Sequence, residues 1–185
     1  MSVSLVLTVI GNDRPGLVEQ LATAISRHQG NWLESSMANL SGKFAGIVCV
    51  SIPEAQLEAL TETLATLPGL RITSEVSGMP ASQSENRRLK LSLVGHDRIG
   101  IVREVSQILA RHAINVEDLS THTASAPMSA GILFHATATL TASPTLDVSD
   151  LTRELENLSD DLMVDITLDE AAPFEVVDED KDDDD

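Results

Sequence analysis

From residue 89 onward apolar and polar positions alternate. Leu89, Leu91 and Leu93 are separated by Lys90 and Ser92, the period of two that a half-buried strand imposes. Residues 4–10 are the more apolar counterpart. A few residues later the period lengthens in both places: Leu17, Val18, Leu21 and Ile25 recur at helical spacing, as do Ile101, Val102, Val105 and Leu109, so each helix lays one apolar stripe on a sheet. Pro15 fits the first helical position, where the N–H it lacks would have no partner anyway. Residues 31–40 and 44–52 then read as a hairpin turned at Ser41-Gly42, with 115–126 and 130–141 as its second copy. Leu57, Leu60, Leu64 and Leu67, and later Leu151, Leu155 and Leu158, predict a second helix in each half. Short strands at 70–76 and 162–168 close the pattern.

This double reading has a cause in the chain itself. Residues 5–36 and 89–120 align without a gap, 84 residues apart, and share Leu5, Leu7, Gly11, Asp13, Arg14, Gly16, Val18, Arg27, His28, Asn31 and Ser36. These are eleven identities over 32 positions, where chance gives about two, so the unit is duplicated. The expected fold is α+β: two tandem ferredoxin-like βαββαβ domains, each a four-stranded antiparallel sheet with two helices on one face. Residues 1–77 form the first domain, 78–87 a Ser-, Gly- and Pro-containing linker, 88–168 the second domain and 169–185 an acidic, disordered tail. The sheet face without helices still carries apolar residues, so pairing of the two repeats, or of two chains, is the expected way to cover it.

Composition narrows the function. The chain of 185 residues is 42% hydrophobic, enough for a core, but has no Tyr, one Trp and three Phe, too few aromatic platforms to stack single-stranded nucleic acid. Its net charge is −17, of which the last seventeen residues carry −9, leaving −8 for residues 1–168. Such a surface repels phosphate backbones, so no direct nucleic-acid binding is expected. No stretch approaches the ~18 apolar residues of a membrane span, and the N-terminus has no basic leader. A cytoplasmic location is expected. The single cysteine, Cys49, lies in the apolar run GIVCVSI, where a buried core thiol is the expected occupant.

Both repeats join first strand to first helix through Gly-x-Asp-Arg-x-Gly, as GNDRPG (11–16) and GHDRIG (95–100). This segment resembles the signature turn of ACT domains, regulatory βαββαβ modules that bind amino acids and other small ligands between paired modules. The resemblance spans about residues 4–168. Two such units without a catalytic domain or a helix-turn-helix are similar to the glycine cleavage system transcriptional repressor family, most of all over RRLKLSLVGHDRIGIVREVSQILARHAINVEDLST (87–121). What the resemblance implies is a sensor of glycine that acts through a partner DNA-binding activator.

The residues support a ligand site on their own chemistry. Gly11, Gly16, Gly95 and Gly100 let backbone approach backbone or ligand, and a helix that starts beside them offers free N–H groups and the positive end of its dipole to a carboxylate. Asp13 and Asp97 are placed either to accept the ligand's ammonium group or simply to cap the helix, with Arg14 and Arg98 solvated. Leu17 and Ile101 contribute the first helical residues, and Asn12 and His96 the end of the strand. The substitutions Asn12 to His96 and Pro15 to Ile99 between the copies mean that the two turns need not bind the same ligand. Asn31 and Asn115, just past the first helix, suit a left-handed C-terminal turn; in related modules this region also lies near the ligand.

Other chemistries find little support. His28 and His112 stand at equivalent helix ends, where histidine meets terminal carbonyls. His96, His112, His122 and His135 lack the spacing of a helical metal motif, no second cysteine accompanies Cys49, and no nucleophile elbow occurs. No metal, cofactor or catalytic residue is expected. The leading expectation is a non-enzymatic regulator that senses a small amino acid. The alternatives are a regulatory subunit of an amino-acid metabolic enzyme and an acylphosphatase-like hydrolase, the latter disfavoured because an acid sits beside each Arg.

Overall fold

The computed structural model describes residues 1–78, 86–126 and 131–168. The acidic tail and most of the expected linker lie outside the described residues. Contacts divide the chain into two units, Met1–Ser82 and Gln83–Asp185.

In the first unit β1 (Ser2–Asn12) leads to α1 (Leu17–Arg27), then β2 (Asn31–Leu40), β3 (Lys43–Pro53), a single 3-10 turn (Glu54–Gln56), α2 (Leu57–Ala65) and β4 (Leu70–Ser77). The sheet order is β2-β3-β1-β4, all antiparallel. The second unit repeats it with β5 (Arg87–His96), α3 (Ile101–Arg111), β6 (Asn115–Ser125), β7 (Ile132–Ala142), α4 (Val148–Glu156) and β8 (Met163–Leu168), in the order β6-β7-β5-β8. Each unit is the ferredoxin-like arrangement that the hydrophobic pattern predicts.

Alternation explains the layering. Leu5, Leu7 and Val9 of β1 and Val48, Val50 and Ile52 of β3 are buried against Leu17, Leu21, Ala24 and Ile25 of α1 and Leu60 and Leu64 of α2. Leu89, Leu91 and Leu140 meet Ile108, Leu109, Leu151 and Leu155 in the second unit. Leu67 and Leu158 fall just beyond their helices yet still pack on these cores. Cys49 corrects an expectation. It lies between buried Val48 and Val50 in register, faces the other side of the sheet, is only half-buried, and has Ser4 Oγ at 3.4 Å. An apolar run in a strand supplies two faces, and only alternate residues enter the core.

The hairpin of the first unit turns where expected, with Ser41 at φ 49° and Gly42 at φ 75°, the two positive values that a two-residue hairpin turn demands. The first helices end differently from expectation. The left-handed residues are Gln29 (φ 60°) and Ala113 (φ 53°), not Asn31 and Asn115. Gly30 N–H donates to Ile25 O at 3.0 Å and Gln29 N–H to Ser26 O at 3.0 Å; Ile114 N–H donates to Leu109 O at 2.9 Å and Ala113 N–H to Ala110 O at 3.0 Å. This paired pattern is a Schellman closure, whose geometry requires the left-handed residue immediately after the cap, two places before each Asn.

Candidate ligand-binding turns

At the first turn, β1 ends at Asn12 and the helix opens at Gly16, which has φ 89° and leaves α1 without a side-chain cap. Pro15 therefore precedes the cap instead of occupying the first helical position, because the left-handed Gly16 intervenes before the helix starts. Gly100, at φ 96°, opens α3 in the same uncapped way. The capping role weighed for Asp13 and Asp97 does not hold. Asp13 accepts a hydrogen bond from Asn39 Nδ2 on β2, while its N–H donates to Gly42 O at 2.9 Å; Asp97 N–H donates to Ile132 O at 2.9 Å and its side chain is exposed. Both backbones are tied to the hairpin, and neither carboxylate caps its helix. A true aspartate cap occurs elsewhere, at α4, where Asp147 accepts from the N–H groups of Ser149 and Asp150.

The arginines are not simply solvated. Arg14 Nη2 donates to Gln20 Oε1 at 2.9 Å and to Pro68 O at 3.1 Å. In the second unit Arg98 Nη2 donates to Glu104 Oε2 at 2.6 Å. That bond holds the Glu104 carboxyl below its ordinary range and raises Arg98. Each arginine thus ties the turn to its own helix.

The glycines divide by role. A Cβ on Gly11 would lie 2.3 Å from Gly69 O, and one on Gly95 2.7 Å from a methyl of Leu162, whereas Gly16 has open space around it. Gly11 and Gly95 serve the close approach of the neighbouring strand; Gly16 and Gly100 serve the positive φ. Leu17 and Ile101 bury their side chains in the core, so only their backbone faces the turn. Asn31 and Asn115 are not brought to the turn of their own unit: they pair with Ser51 and Thr141, level with Ser4 and Arg88 at the far ends of β1 and β5. Eight residues of strand, about 27 Å, separate each from the strand end that carries Asn12 or His96.

Other residues enter that the sequence did not single out. In the first unit Lys43 Nζ donates to Asn12 Oδ1, and a cavity of about 350 Å³ beside it is lined by Gly11, Asn12, Lys43, Gly69 and Arg71. In the second unit Asp161 accepts the His96 N–H at 2.7 Å. Its carboxyl is held below the ordinary range by Ser159 and by that N–H. The signal for the first-unit residues is strand register, which sets Lys43 opposite Asn12 and Arg71 opposite Ile10 only once the sheet is folded.

The histidines at the helix ends are used for packing. His28 Nδ1 donates to Ala24 O at 2.9 Å, the carbonyl contact expected for it, while His112 Nε2 meets Glu154 Oε2 at 2.7 Å on the second helix.

A family model of the ACT domain matches residues 4–70 and again 87–169. The chain belongs to the ACT-domain family. A protein of unknown function from Galdieria sulphuraria has a similar structure: it is 28% identical, with a TM-score of 0.79, over 91% of this chain and 99% of that one. The structure of a candidate glycine cleavage system transcriptional repressor is 18% identical, with a TM-score of 0.66, over 91% of this ACT protein and 98% of the other, a likeness of fold. No curated protein matches the chain. No helix among the described residues is long and apolar enough to cross a membrane.

Proposed function

We propose that this ACT-domain protein is a non-enzymatic regulator that senses a small amino acid at its Gly-x-Asp-Arg-x-Gly turns and controls transcription through a partner protein, without binding DNA itself. The observation that carries the reading is the helix N-terminus left without a side-chain cap beside an aspartate in both units. The N–H groups of the first helical turn, which no side chain caps, and the dipole suit a carboxylate, and Asp13 or Asp97 suits an ammonium group, so a zwitterion matches the pair. Residues 1–77 and 88–168 are taken as the sensing units, 78–87 as the linker and 169–185 as an acidic tail. The chain would act in the cytoplasm, with sheet pairing between copies. The resemblance of residues 87–121 makes glycine the first ligand to test.

Calorimetric titration with the twenty amino acids tests the ligand. Asp13→Asn and Asp97→Asn should leave melting nearly unchanged, since neither aspartate caps its helix. Affinity should fall by roughly 1.5–3 kcal/mol, about tenfold to a hundredfold, in whichever copy binds. Failure of every amino acid to bind, or unchanged affinity in both variants, overturns the reading. For the partner, capture of a DNA-binding protein in the presence of the ligand is the expected result; capture of a metabolic enzyme would reassign the output.

A further inference from the structure

One row of side chains, one from each strand, crosses the helix-free face of the second sheet as Met163, Val94, His135 and His122. The same row in the first unit reads Arg71, Ile10, Ala45 and Ala38. Two directly opposed imidazoles therefore stand in one copy where the other has two methyl groups. Their ring centroids are 4.7 Å apart and their planes 4° from parallel. Strand pairing does not require them, because Ala38 and Ala45 hold the same cross-strand position in the first sheet. Other groups do not occupy them either. His28 and His112 each commit a ring nitrogen to a carbonyl or carboxylate, whereas among the described residues neither His122 nor His135 forms a side-chain hydrogen bond. His122 is exposed and His135 half-buried.

We infer that His122 and His135 form a binding site for a divalent transition-metal ion, with Cu²⁺ the tightest. Neutral imidazole is the commonest protein ligand for such ions, and two nitrogens bind one ion in adjacent positions at about 2.0–2.1 Å each. Directly opposed residues of an antiparallel pair have Cβ atoms about 4.5–5.5 Å apart, and rotation about the last side-chain bond, which is broad for histidine, turns both ring edges toward a shared ion. No group of three His, Cys, Asp or Glu side chains fit to hold a metal occurs among the described residues. The ion consequently keeps further coordination positions for water or a small ligand, the open kind of site. For nitrogen ligands the order of affinity places Cu²⁺ above Ni²⁺ and Zn²⁺, and the net charge of −8 over residues 1–168 favours a bound cation.

The test is titration of the full, untagged chain with CuCl₂ and ZnCl₂ near neutral pH, read by calorimetry and by electron paramagnetic resonance of the copper form. The expected result is a tightest Cu²⁺ site of one ion per chain, binding Cu²⁺ more tightly than Zn²⁺, with hyperfine coupling to two imidazole nitrogens. His122→Ala and His135→Ala should each weaken that site by at least about tenfold; together they reproduce the Ala38–Ala45 pair that this fold already accommodates, and thermal melting checks that they fold. His28→Gln, in the first unit, should leave the affinity unchanged. Absence of saturable Cu²⁺ binding below about 1 mM, equal binding by the wild type and both alanine variants, or an equal loss in His28→Gln overturns the two-histidine site.

Discussion

Arg98 and Glu104 bracket the second turn with an ion pair, Nη2 to Oε2 at 2.6 Å, where the matching residues of the first unit, Arg14 and Gln20, make the same bracket at 2.9 Å with a neutral amide. The geometry is repeated but the charge is not. Glu104, Glu154 and Asp161 are all held below the ordinary carboxylate range, by Arg98, by His112 with Arg111, and by Ser159 with the His96 N–H respectively. All three belong to the second unit.

Acid should therefore act on the second unit first. A carboxyl whose folded pKa is depressed contributes stability that is present above its unfolded value, about 4, and is lost as pH falls through the folded value. Trp32 is the chain's single tryptophan and packs on the first core, so its fluorescence reports on that core. Lowering the pH below about 4 should change the far-ultraviolet circular dichroism before the Trp32 emission moves. Glu104→Gln should lower the second unit's stability near neutral pH and reduce how much of it is lost on acidification, without delaying that unit's transition. Coincident transitions in the wild type would count against this account.

Ala113→Gly and Gln29→Gly should each stabilise the protein. A residue with a side chain in the left-handed region costs about 1–2 kcal/mol, and the greater chain entropy of glycine returns roughly 0.5–1 kcal/mol of that. A net gain of about 0.5–1 kcal/mol is expected, or a rise in Tm of a few degrees. A fall in Tm for both variants would show that these helix ends relax without strain.

Gly11→Ala should be the more damaging of the two strand-end substitutions. The new methyl group meets a backbone carbonyl, that of Gly69, whereas at Gly95 it meets the end of the Leu162 side chain, which can rotate. A loss at the upper end of about 1–3 kcal/mol is expected for Gly11→Ala and a smaller loss for Gly95→Ala. Thermal melting of both variants decides it, with the reverse order contradicting the assignment.

The strands and helices were legible because Leu89, Leu91 and Leu93, and the leucines at 57, 60 and 64, hold their periods without interruption, and because Ser41-Gly42 names its turn. Local backbone choices were less so. Asparagine has the intrinsic preference for the left-handed region, yet Gln29 and Ala113 adopt it because the hydrogen-bond pattern that closes the helix selects a position and not a residue type. Asp13 likewise suits a cap by composition, but Gly16 intervenes. The opposition of His122 and His135 did not follow from the strand limits read from sequence. Hairpin arms at 115–126 and 130–141 centre the turn half a residue early and set His122 opposite Phe134, and a one-residue slip sends a side chain to the other face.

The contact between Gly11 and the Gly69 carbonyl bears on how such turns are recognised in genomes. The leading glycine of the motif is demanded by the way the last strand closes against the first, so a copy that had ceased to bind anything would still be obliged to keep it. Searches that count this glycine would count folded modules. Sensors would have to be told apart by what stands at the positions of Asn12, Lys43, Arg71 and Asp161, where the two halves of this single chain have already diverged.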